Sequence, residues 1–268
     1  MSSIVAVIPA RGGSKGVPLK NLRPFLGSAL FLWQARACRD SRIFTDVYIS
    51  TDDAAIKAVA LDAAFKVHDR SAESATDTAS SEAVLLEFVE WYKKERKQGN
   101  GDDNNKNDSL DIGYVCLSQA TSPLTTATDY REAWKLLRAS SADSLVTVSR
   151  THAFYWRVHE NTGEATPVNY DPSARPRRQD WDGNWEENGA FYMTRVALLQ
   201  ESKSRLVGRV VAHVLTGEGQ KYEIDSLLDF TVCEAVRKFW IGAGEDGDED
   251  IGSFLDKEKE QAKLNENC

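Results

Sequence analysis

At 268 residues the chain is long enough to bury a substantial core as one large domain, or as one domain with a modest appendage. Apolar residues make up 41% and charged residues 28%, and no run approaches the roughly 18 consecutive apolar residues of a membrane span, so no membrane association is expected. A net charge of -8 argues against a nucleic-acid partner, because such binders need a basic face to release counterions.

The acid is unevenly spread. Much of it lies in the 102–111 region and after Gly244, which leaves the remainder nearer neutral and able to carry a local basic cleft. The cysteines, Cys38, Cys116, Cys233 and Cys268, show no C-x-x-C pairing and no framework spacing, and read as buried or incidental thiols of a reducing compartment. The first residues enter a strand pattern at once, without a charged leader or an apolar signal core. Cytoplasmic residence is the expectation, with the nucleus as the alternative.

In chain order, the apolar run Ile4 to Ile8 predicts a buried strand. It feeds the turn Arg11-Gly12-Gly13-Ser14-Lys15-Gly16, which continues to Lys20-Asn21. The spacing fits neither the Walker A loop nor the dinucleotide fingerprint. Its chemistry is nonetheless that of a phosphate trap: glycines admit an anion close to the backbone N–H groups, and Arg11, Lys15 and Lys20 bring positive charge.

Helical patterns at Leu30–Cys38, Ala54–Ala64, Ser80–Lys97 and Thr128–Ser140 alternate with strand patterns at Val47–Ser50, Phe65–His68, Ile112–Leu117 and Leu145–Val148. Val84, Leu85, Phe88, Val89 and Trp91 or Tyr92 give the third helix one apolar face. Thr126-x-x-Asp129 predicts a capping box at the start of the fourth. Alternation of this kind implies an α/β fold with a mostly parallel sheet flanked by helices. Residues 98–110 have almost nothing to bury and read as a mobile insertion, and 245–268 as an acidic flexible tail.

Residues 152–186 break the rhythm. Phe154, Tyr155, Trp156, Pro167, Pro172, Pro176, an arginine cluster, Trp181 and Trp185 are too aromatic for a solvated loop and too interrupted for a helix. An internal hairpin flap and an extension toward a partner chain both fit. Further on, Ser226-x-x-Asp229 predicts another capping box.

Four segments in this order carry a family resemblance: Ile8-Pro9-Ala10-Arg11-Gly12-Gly13-Ser14-Lys15-Gly16-Val17-Pro18-Leu19-Lys20-Asn21, Gln119-Ala120-Thr121-Ser122-Pro123-Leu124, Arg175-Pro176-Arg177-Arg178-Gln179-Asp180-Trp181-Asp182-Gly183 and Glu187-Asn188-Gly189-Ala190-Phe191-Tyr192. Together they resemble the CMP-N-acylneuraminate (CMP-sialic acid) synthetases, or N-acylneuraminate cytidylyltransferases, over roughly residues 4 to 240. The resemblance implies a Rossmann-like nucleotidyltransferase fold over residues 1–244, with 152–186 as a protruding dimerisation extension. It implies a homodimer or dimer of dimers, with CTP and a sialic acid as partners. The implied reaction transfers CMP from CTP to the anomeric C2 hydroxyl of N-acetylneuraminate and releases pyrophosphate. Another ulosonic acid as acceptor, or a catalytically silent nucleotide-binding subunit, are the alternatives.

Ligands of open parallel sheets bind at the carboxyl ends of the strands. There Arg11 and Lys20 are expected to clamp the triphosphate, with Ser14 and the amides of Gly12 and Gly13 adding neutral hydrogen bonds. Asn21 holds the turn or touches the nucleotide. By resemblance, Arg70 and the backbone at Ala79-Ser80 read the cytosine edge, although Asp77, Ser80 and Ser81 also fit helix caps. By resemblance too, Gln119 contacts the acceptor sugar, and Asn188 and Tyr192 belong to its pocket, with a strand-core role as the alternative for Tyr192. Thr125 stands where the family often has arginine. Arg175, Arg178 and Gln179, beside Arg177, suit an acceptor carboxylate or the leaving pyrophosphate; a nuclear localisation patch is the competing reading.

The resemblance also implies Mg²⁺ or another divalent cation on an Asp-x-Asp pair, matched here by Glu223 and Asp225. Strand alternation would put both carboxylates on one face, and the extra methylene of Glu223 favours Asp225 as the ligand. No general base is evident, because His68, His152, His159 and His213 occupy no motif position.

Overall fold

Residues 4–9 are apolar along their whole length, as a strand covered on both faces requires. The structure is a computed structural model and describes residues 3–14, 16–76, 78–99, 112–217 and 219–243. In chain order the elements are β1 (Ile4–Pro9), the short hairpin β2 (Pro24–Phe25) and β3 (Ser28–Ala29), α1 (Leu30–Ser41), β4 (Asp46–Thr51), α2 (Ala54–Asp62), β5 (Lys66–Asp69), α3 (Ser81–Gly99), β6 (Tyr114–Ser118), α4 (Ala127–Ser140) and β7 (Ser144–Thr151). They continue with β8 (Trp156–Val158), β9 (Ala165–Pro167), β10 (Asn184–Arg195), α5 (Val196–Ser202), β11 (Val210–Val214) and α6 (Leu227–Ala243).

The main sheet has seven strands in the order β11-β7-β10-β6-β1-β4-β5. β6, β1, β4 and β5 run parallel, as do β7 and β11, whereas β10 lies antiparallel between the two blocks. The expected mostly parallel sheet is therefore present, with one reversed strand. It is reversed because β10 returns directly alongside β7, pairing from Ser144↔Thr194 out to Thr151↔Asn184, and no helix intervenes to turn the chain around.

Alternation along β1 divides the core. Ile4, Ala6 and Ile8 face a cluster with Phe31, Ala35, Cys38, Tyr130 and Leu137, contributed by α1 and α4. Val5 and Val7 face Leu85, Phe88, Val89 and Tyr92 of α3 and Val196 and Leu199 of α5. The apolar face read from the third helix is thus the buried one, and each fully covered side chain such as Phe88 contributes about 1.5–3 kcal/mol. A third cluster, with Val17, Phe25, Leu30, Trp33, Leu124, Ile224, Phe230, Cys233 and Trp240, gathers residues from β2, α1, α6 and widely separated loops.

Element ends follow local chemistry. Thr126 and Asp129 form the expected capping box of α4, with Asp129 N donating to Thr126 Oγ1 at 3.3 Å and Thr126 N to Asp129 Oδ2 at 2.8 Å. α1 runs past Cys38 to Ser41 and stops where Arg42 takes φ 58. Cys38, Cys116 and Cys233 are buried free thiols, and burial raises Cys38 to about 12. Among the described residues no helix is long and apolar enough to cross a membrane. α3 extends to Gly99, into the expected insertion; the rest of that insertion and the expected tail lie outside the described residues.

Residues 152–183 ride on the end of the β7–β10 ribbon. They hold a small aromatic core in which Phe154 stacks on Trp181 at 4.9 Å and meets Tyr170 at 4.5 Å, beside the β8–β9 hairpin. Gly183, at φ +77, turns the chain back where a Cβ would lie 2.4 Å from the Thr151 carbonyl oxygen. Tyr155, Trp156, Val158, Val168 and Trp185 point to solvent.

His68 is buried on β5, with Nδ1 3.0 Å from Ser50 Oγ and its ring against Phe88 and Trp91. Burial holds its imidazole below the ordinary 6.5, outweighing Glu87 and Asp69. His213 is lowered for the same reason, against Asp129 and Glu132. As pH falls, the unfolded chain takes up these protons before the native one does. Stability is therefore full above the unfolded value and lost as pH drops through the lower native values. Urea unfolding is expected to give a free energy that decreases from about pH 7.5 to about pH 5.5, with a shallower slope in His68→Gln. An unchanged slope in that variant would refute the assignment.

Candidate active site

The chain runs from β1 outward through β4 and β5, then crosses back over β1 to β6, which makes the gap between β1 and β6 a topological switch point. A cleft of about 570 Å³ opens there. Arg11, Ser14, Gly16, Lys20 and Asn21 line it from the turn after β1, and Arg70, Thr76, Ala79 and Ser81 from the segment after β5. Gln119, Ala120 and Thr121 enter after β6, and Glu223 and Asp225 from the segment before α6.

The turn after β1 is anchored by the fully buried Val17 and closed by a 3-10 turn, Lys20–Leu22, entered through Leu19 at φ 54. Asn21 Nδ2 donates to the Arg11 carbonyl at 2.9 Å, stapling the two ends of the loop. Lys20 Nζ donates to the Ile224 carbonyl at 2.7 Å and to Asp225 Oδ1 at 3.1 Å. The lysine is only 15% exposed and the aspartate 78%, so solvent screens the ion pair and the carbonyl bond is the firmer tie. A Cβ on Gly16 would stand 2.7 Å from the Asp225 carbonyl oxygen. The basic turn and the acidic segment are thus in direct contact.

Gly12 and Gly13 are placed outside the cleft wall. A Cβ on Gly12 would meet Asp53 Oδ2, whose carboxylate caps α2 through Ala55 N at 2.8 Å and Ile56 N at 3.0 Å. Gly13 faces open space. Lys15 and Asp77 lie outside the described residues.

Arg70 is held by Ser74, with Nε 3.3 Å from its hydroxyl and an Nη bonded to its carbonyl. Arg11 reaches the Thr76 carbonyl at 3.4 Å. Burial lowers the Arg70 pKa and the nearby Arg11 charge adds to this, against Asp52 and Glu87. Both guanidinium groups line the cleft and make this wall locally basic. Ser80 is directed elsewhere: its hydroxyl accepts from Ala83 N at 3.2 Å, the capping role, while Ala79 and Ser81 face the cleft.

On the other side, Gln119 N donates to the Ala190 carbonyl at 3.0 Å. The carbonyls that follow are each held by a buried side chain: Ser122 by Gln34, Pro123 by Arg237 at 3.4 Å and Leu124 by Gln220 at 3.1 Å. Thr125 also bonds Gln34, at 3.0 Å. Residues 222–225 are not in a strand, although strand alternation is the expected reason for Glu223 and Asp225 to share a face. The segment is irregular, joined to the loop by Ile224 N donating to the Thr121 carbonyl at 2.8 Å. Alternation survives because Ile224 is fully buried and leaves Glu223 and Asp225 on the cleft side. Asp229 forms the expected capping box with Ser226.

Among the described residues no group of three or more His, Cys, Asp or Glu is arranged for a metal ion. Mg²⁺ needs less, since one or two carboxylates and substrate phosphates suffice. The exposed Asp225 carboxylate beside a phosphate-sized basic turn fits that requirement.

Asn188 and Tyr192 do not reach the cleft in this chain. Both ends of the Asn188 amide are used internally, Nδ2 donating to Ser149 Oγ at 2.9 Å and Oδ1 accepting from Ala190 N at 3.2 Å. Tyr192 is 2% exposed, with its hydroxyl bonded to Glu187 and Arg205 4.4 Å from its ring centre. Burial pushes its pKa up to about 12. The cause is an irregularity in β10 between Glu187 and Tyr192, where Gly189 takes φ +72. It turns both side chains inward and leaves Gly189 beside Gln119 and Glu223.

The arginines of the extension also stand apart. Arg175 and Arg178 line a separate cavity of about 750 Å³ with Phe154, Trp181 and Lys221, and Arg175 stacks 4.4 Å over Phe154. Gln179 is exposed on a 3-10 turn and lines neither cavity. Lys221 lines this cavity and Glu223 the cleft, so one short segment separates them. Thr121, Gly189 and Thr76 carry no signal of their own in the sequence. The first two sit inside quoted motifs, but only tertiary contact reveals what they touch.

A family model described as cytidylyltransferase matches residues 5–209. The chain belongs to the cytidylyltransferase family. Similar cytidylyltransferases include the N-acylneuraminate cytidylyltransferase A of Danio rerio, 38% identical over 86% of this chain and 50% of the relative. The N-acylneuraminate cytidylyltransferase of Oncorhynchus mykiss is 36% identical over 86% and 49%, and that of Streptococcus agalactiae 27% over 84% and 51%. The chain spans about half the length of these curated relatives. A CMP:2-keto-3-deoxy-manno-octonic acid synthetase complexed with CTP shares the fold at TM-score 0.62 and 16% identity, covering 88% of this chain and 99% of that one. A 4-diphosphocytidyl-2C-methyl-D-erythritol synthase from Anaerococcus prevotii shares it at 0.58 and 11%, covering 88% and 99%.

Gly16→Ala tests the contact between turn and acidic segment in this cytidylyltransferase. Main chain cannot yield as a flexible side chain does, so the substitution is expected to lower the unfolding free energy by about 1–3 kcal/mol. An unaltered value in urea titration would refute it.

Proposed function

We propose that this cytidylyltransferase transfers CMP from CTP to the anomeric C2 hydroxyl of N-acetylneuraminate and releases pyrophosphate. The observation that carries this reading is the convergence of Arg11, Lys20, Arg70, Gln119 and Asp225 on one cleft at the switch point, in a chain whose relatives are named for that activity.

Arg11 and Lys20 bind the triphosphate, the guanidinium engaging oxygens in pairs and the lysine as a point charge. Lys20 exchanges Asp225 for a phosphate oxygen as the nucleotide enters. Arg70, with the backbone at Ala79, reads the cytosine edge, and Gln119 orients the acceptor. The C2 hydroxyl oxygen then bonds to the α-phosphorus as the bond to the bridging oxygen breaks. The hydroxyl proton passes to solvent water, and charge gathered on the departing pyrophosphate is met by Arg11 and Lys20. A divalent cation, when bound, neutralises phosphate oxygens and acidifies the hydroxyl; Asp225 would hold it, with Glu223 as the other carboxylate of the cleft.

Arg175, Arg178 and Gln179 act on the acceptor carboxylate across the short segment that ends in Asp225, or in the partner's site. A homodimer through the extension is part of this reading. Trp156, Val158, Val168 and Trp185 give it an apolar outer face that a second copy would cover.

Purified protein with CTP, Mg²⁺ and N-acetylneuraminate, its deaminated analogue or an eight-carbon ulosonic acid is expected to release pyrophosphate fastest with N-acetylneuraminate. Release with none of them would end the proposal. Asp225→Ala is expected to lower kcat by about a hundredfold or more while keeping a cooperative thermal unfolding transition. Sedimentation is expected to find a dimer of the 29.8 kDa chain, shifted toward monomer by Trp156→Glu; a monomer at all concentrations would remove the dimer.

A further inference from the structure

The two acidic residues of the cleft, Glu223 and Asp225, have different neighbours. Asp225 lies against the basic turn, where Lys20 Nζ lies 3.1 Å from its carboxylate. Its carbonyl oxygen is where Gly16 packs.

Glu223 lies against Thr121, Gln119 and Gly189. Thr121 grips its segment twice, the hydroxyl donating to Glu223 Oε1 at 2.6 Å and the carbonyl accepting from Ile224 N at 2.8 Å. The second oxygen, Oε2, lies 3.1 Å from where a Cβ on Gly189 would stand, and Gln119 Nε2 lies 3.1 Å from that same point. Gly189 is at φ +72, a conformation that suits glycine, and its missing side chain leaves room for both groups. An anionic acceptor and an amide donor therefore flank one spot, and both residues line the cleft.

We propose that Glu223 and Gln119 form a polyol-binding subsite, with Thr121 and Gly189 as its positioning residues, and that Glu223 is not a metal ligand. The proposal rests on the cytidylyltransferase reading of the cleft. A hydroxyl of the acceptor donates to Glu223 Oε2 while a neighbouring hydroxyl oxygen accepts from Gln119 Nε2, a pairing that matches adjacent hydroxyls of a sugar acid. The Thr121 hydroxyl already occupies Oε1 and fixes the carboxylate plane, which directs Oε2 to the acceptor and leaves Asp225 to the cation.

The test compares Glu223→Gln, Thr121→Val, Thr121→Ser and Asp225→Asn with the unaltered protein. Glu223→Gln and Thr121→Val are expected to raise KM for N-acetylneuraminate about tenfold or more, because each removes or misaligns a bond to a charged acceptor. KM for CTP stays within about twofold, and Thr121→Ser, which keeps the hydroxyl, recovers most of the loss. Manganese titration of the CTP complex by electron paramagnetic resonance is expected to be unchanged in Glu223→Gln and weakened in Asp225→Asn. Thermal melts show that each variant is folded.

Weakened manganese binding in Glu223→Gln, comparable to that in Asp225→Asn and with acceptor KM unchanged, overturns the subsite. An unaltered protein that neither binds manganese with CTP nor releases pyrophosphate with any ulosonic acid overturns the underlying reading instead.

Discussion

Lys20 joins the first turn of the fold to the last loop before α6, and the architecture of the cleft follows from that contact. Its ammonium is mostly shielded from water, so it needs oxygen partners within the protein. The Ile224 carbonyl and Asp225 supply them across some two hundred residues of sequence. The apolar cluster beneath, with Val17 and Ile224 both fully buried, holds the two segments at this separation. A polar latch lies over an apolar hinge, and the cleft is what remains between them and the ends of β1 and β6.

The cleft also reconciles an acidic chain with anionic ligands. Net charge describes the molecule at long range, where salt screens it within about 10 Å. At the cleft, Arg11 and Arg70 both line the wall, and burial lowers the Arg70 pKa while Asp52 and Glu87 offset it. Positive charge is thus concentrated locally in a chain that is acidic as a whole.

Much of the fold was legible because its signals are local. The continuous apolar run of β1, the 3.6-residue spacing of Leu85, Phe88, Val89 and Tyr92, and the Thr126 and Ser226 capping boxes depend on neighbours within a few residues, and each appears as read. The placement of Arg11, Ser14, Lys20 and Asn21 in the cleft followed from the basic turn at the end of β1, and that of Arg70, Gln119, Glu223 and Asp225 from the family resemblance. What escaped depends on register. Nothing near Asn188 announces that an irregularity in β10 will turn it and Tyr192 inward, because the shift is set by pairing with β7. Residues 223–225 look like a strand by alternation, yet no sheet edge reaches them; only one backbone bond to Thr121 does. The arginines of the extension are carried away from the cleft by the length of the β7–β10 ribbon, which no spacing within their own motif encodes.

The two walls of the cleft differ in stiffness. Behind Gln119 and Thr121, three consecutive carbonyls are each taken by an interior side chain from a different part of the chain, Gln34, Arg237 and Gln220. The opposite wall is a glycine-rich bend tied down at Val17, Asn21 and Lys20. The first wall is braced from the interior at every carbonyl, whereas the bend is braced at its two ends by Asn21 and Lys20. Any ligand that requires the cleft to widen would displace the bend before the Gln119 wall.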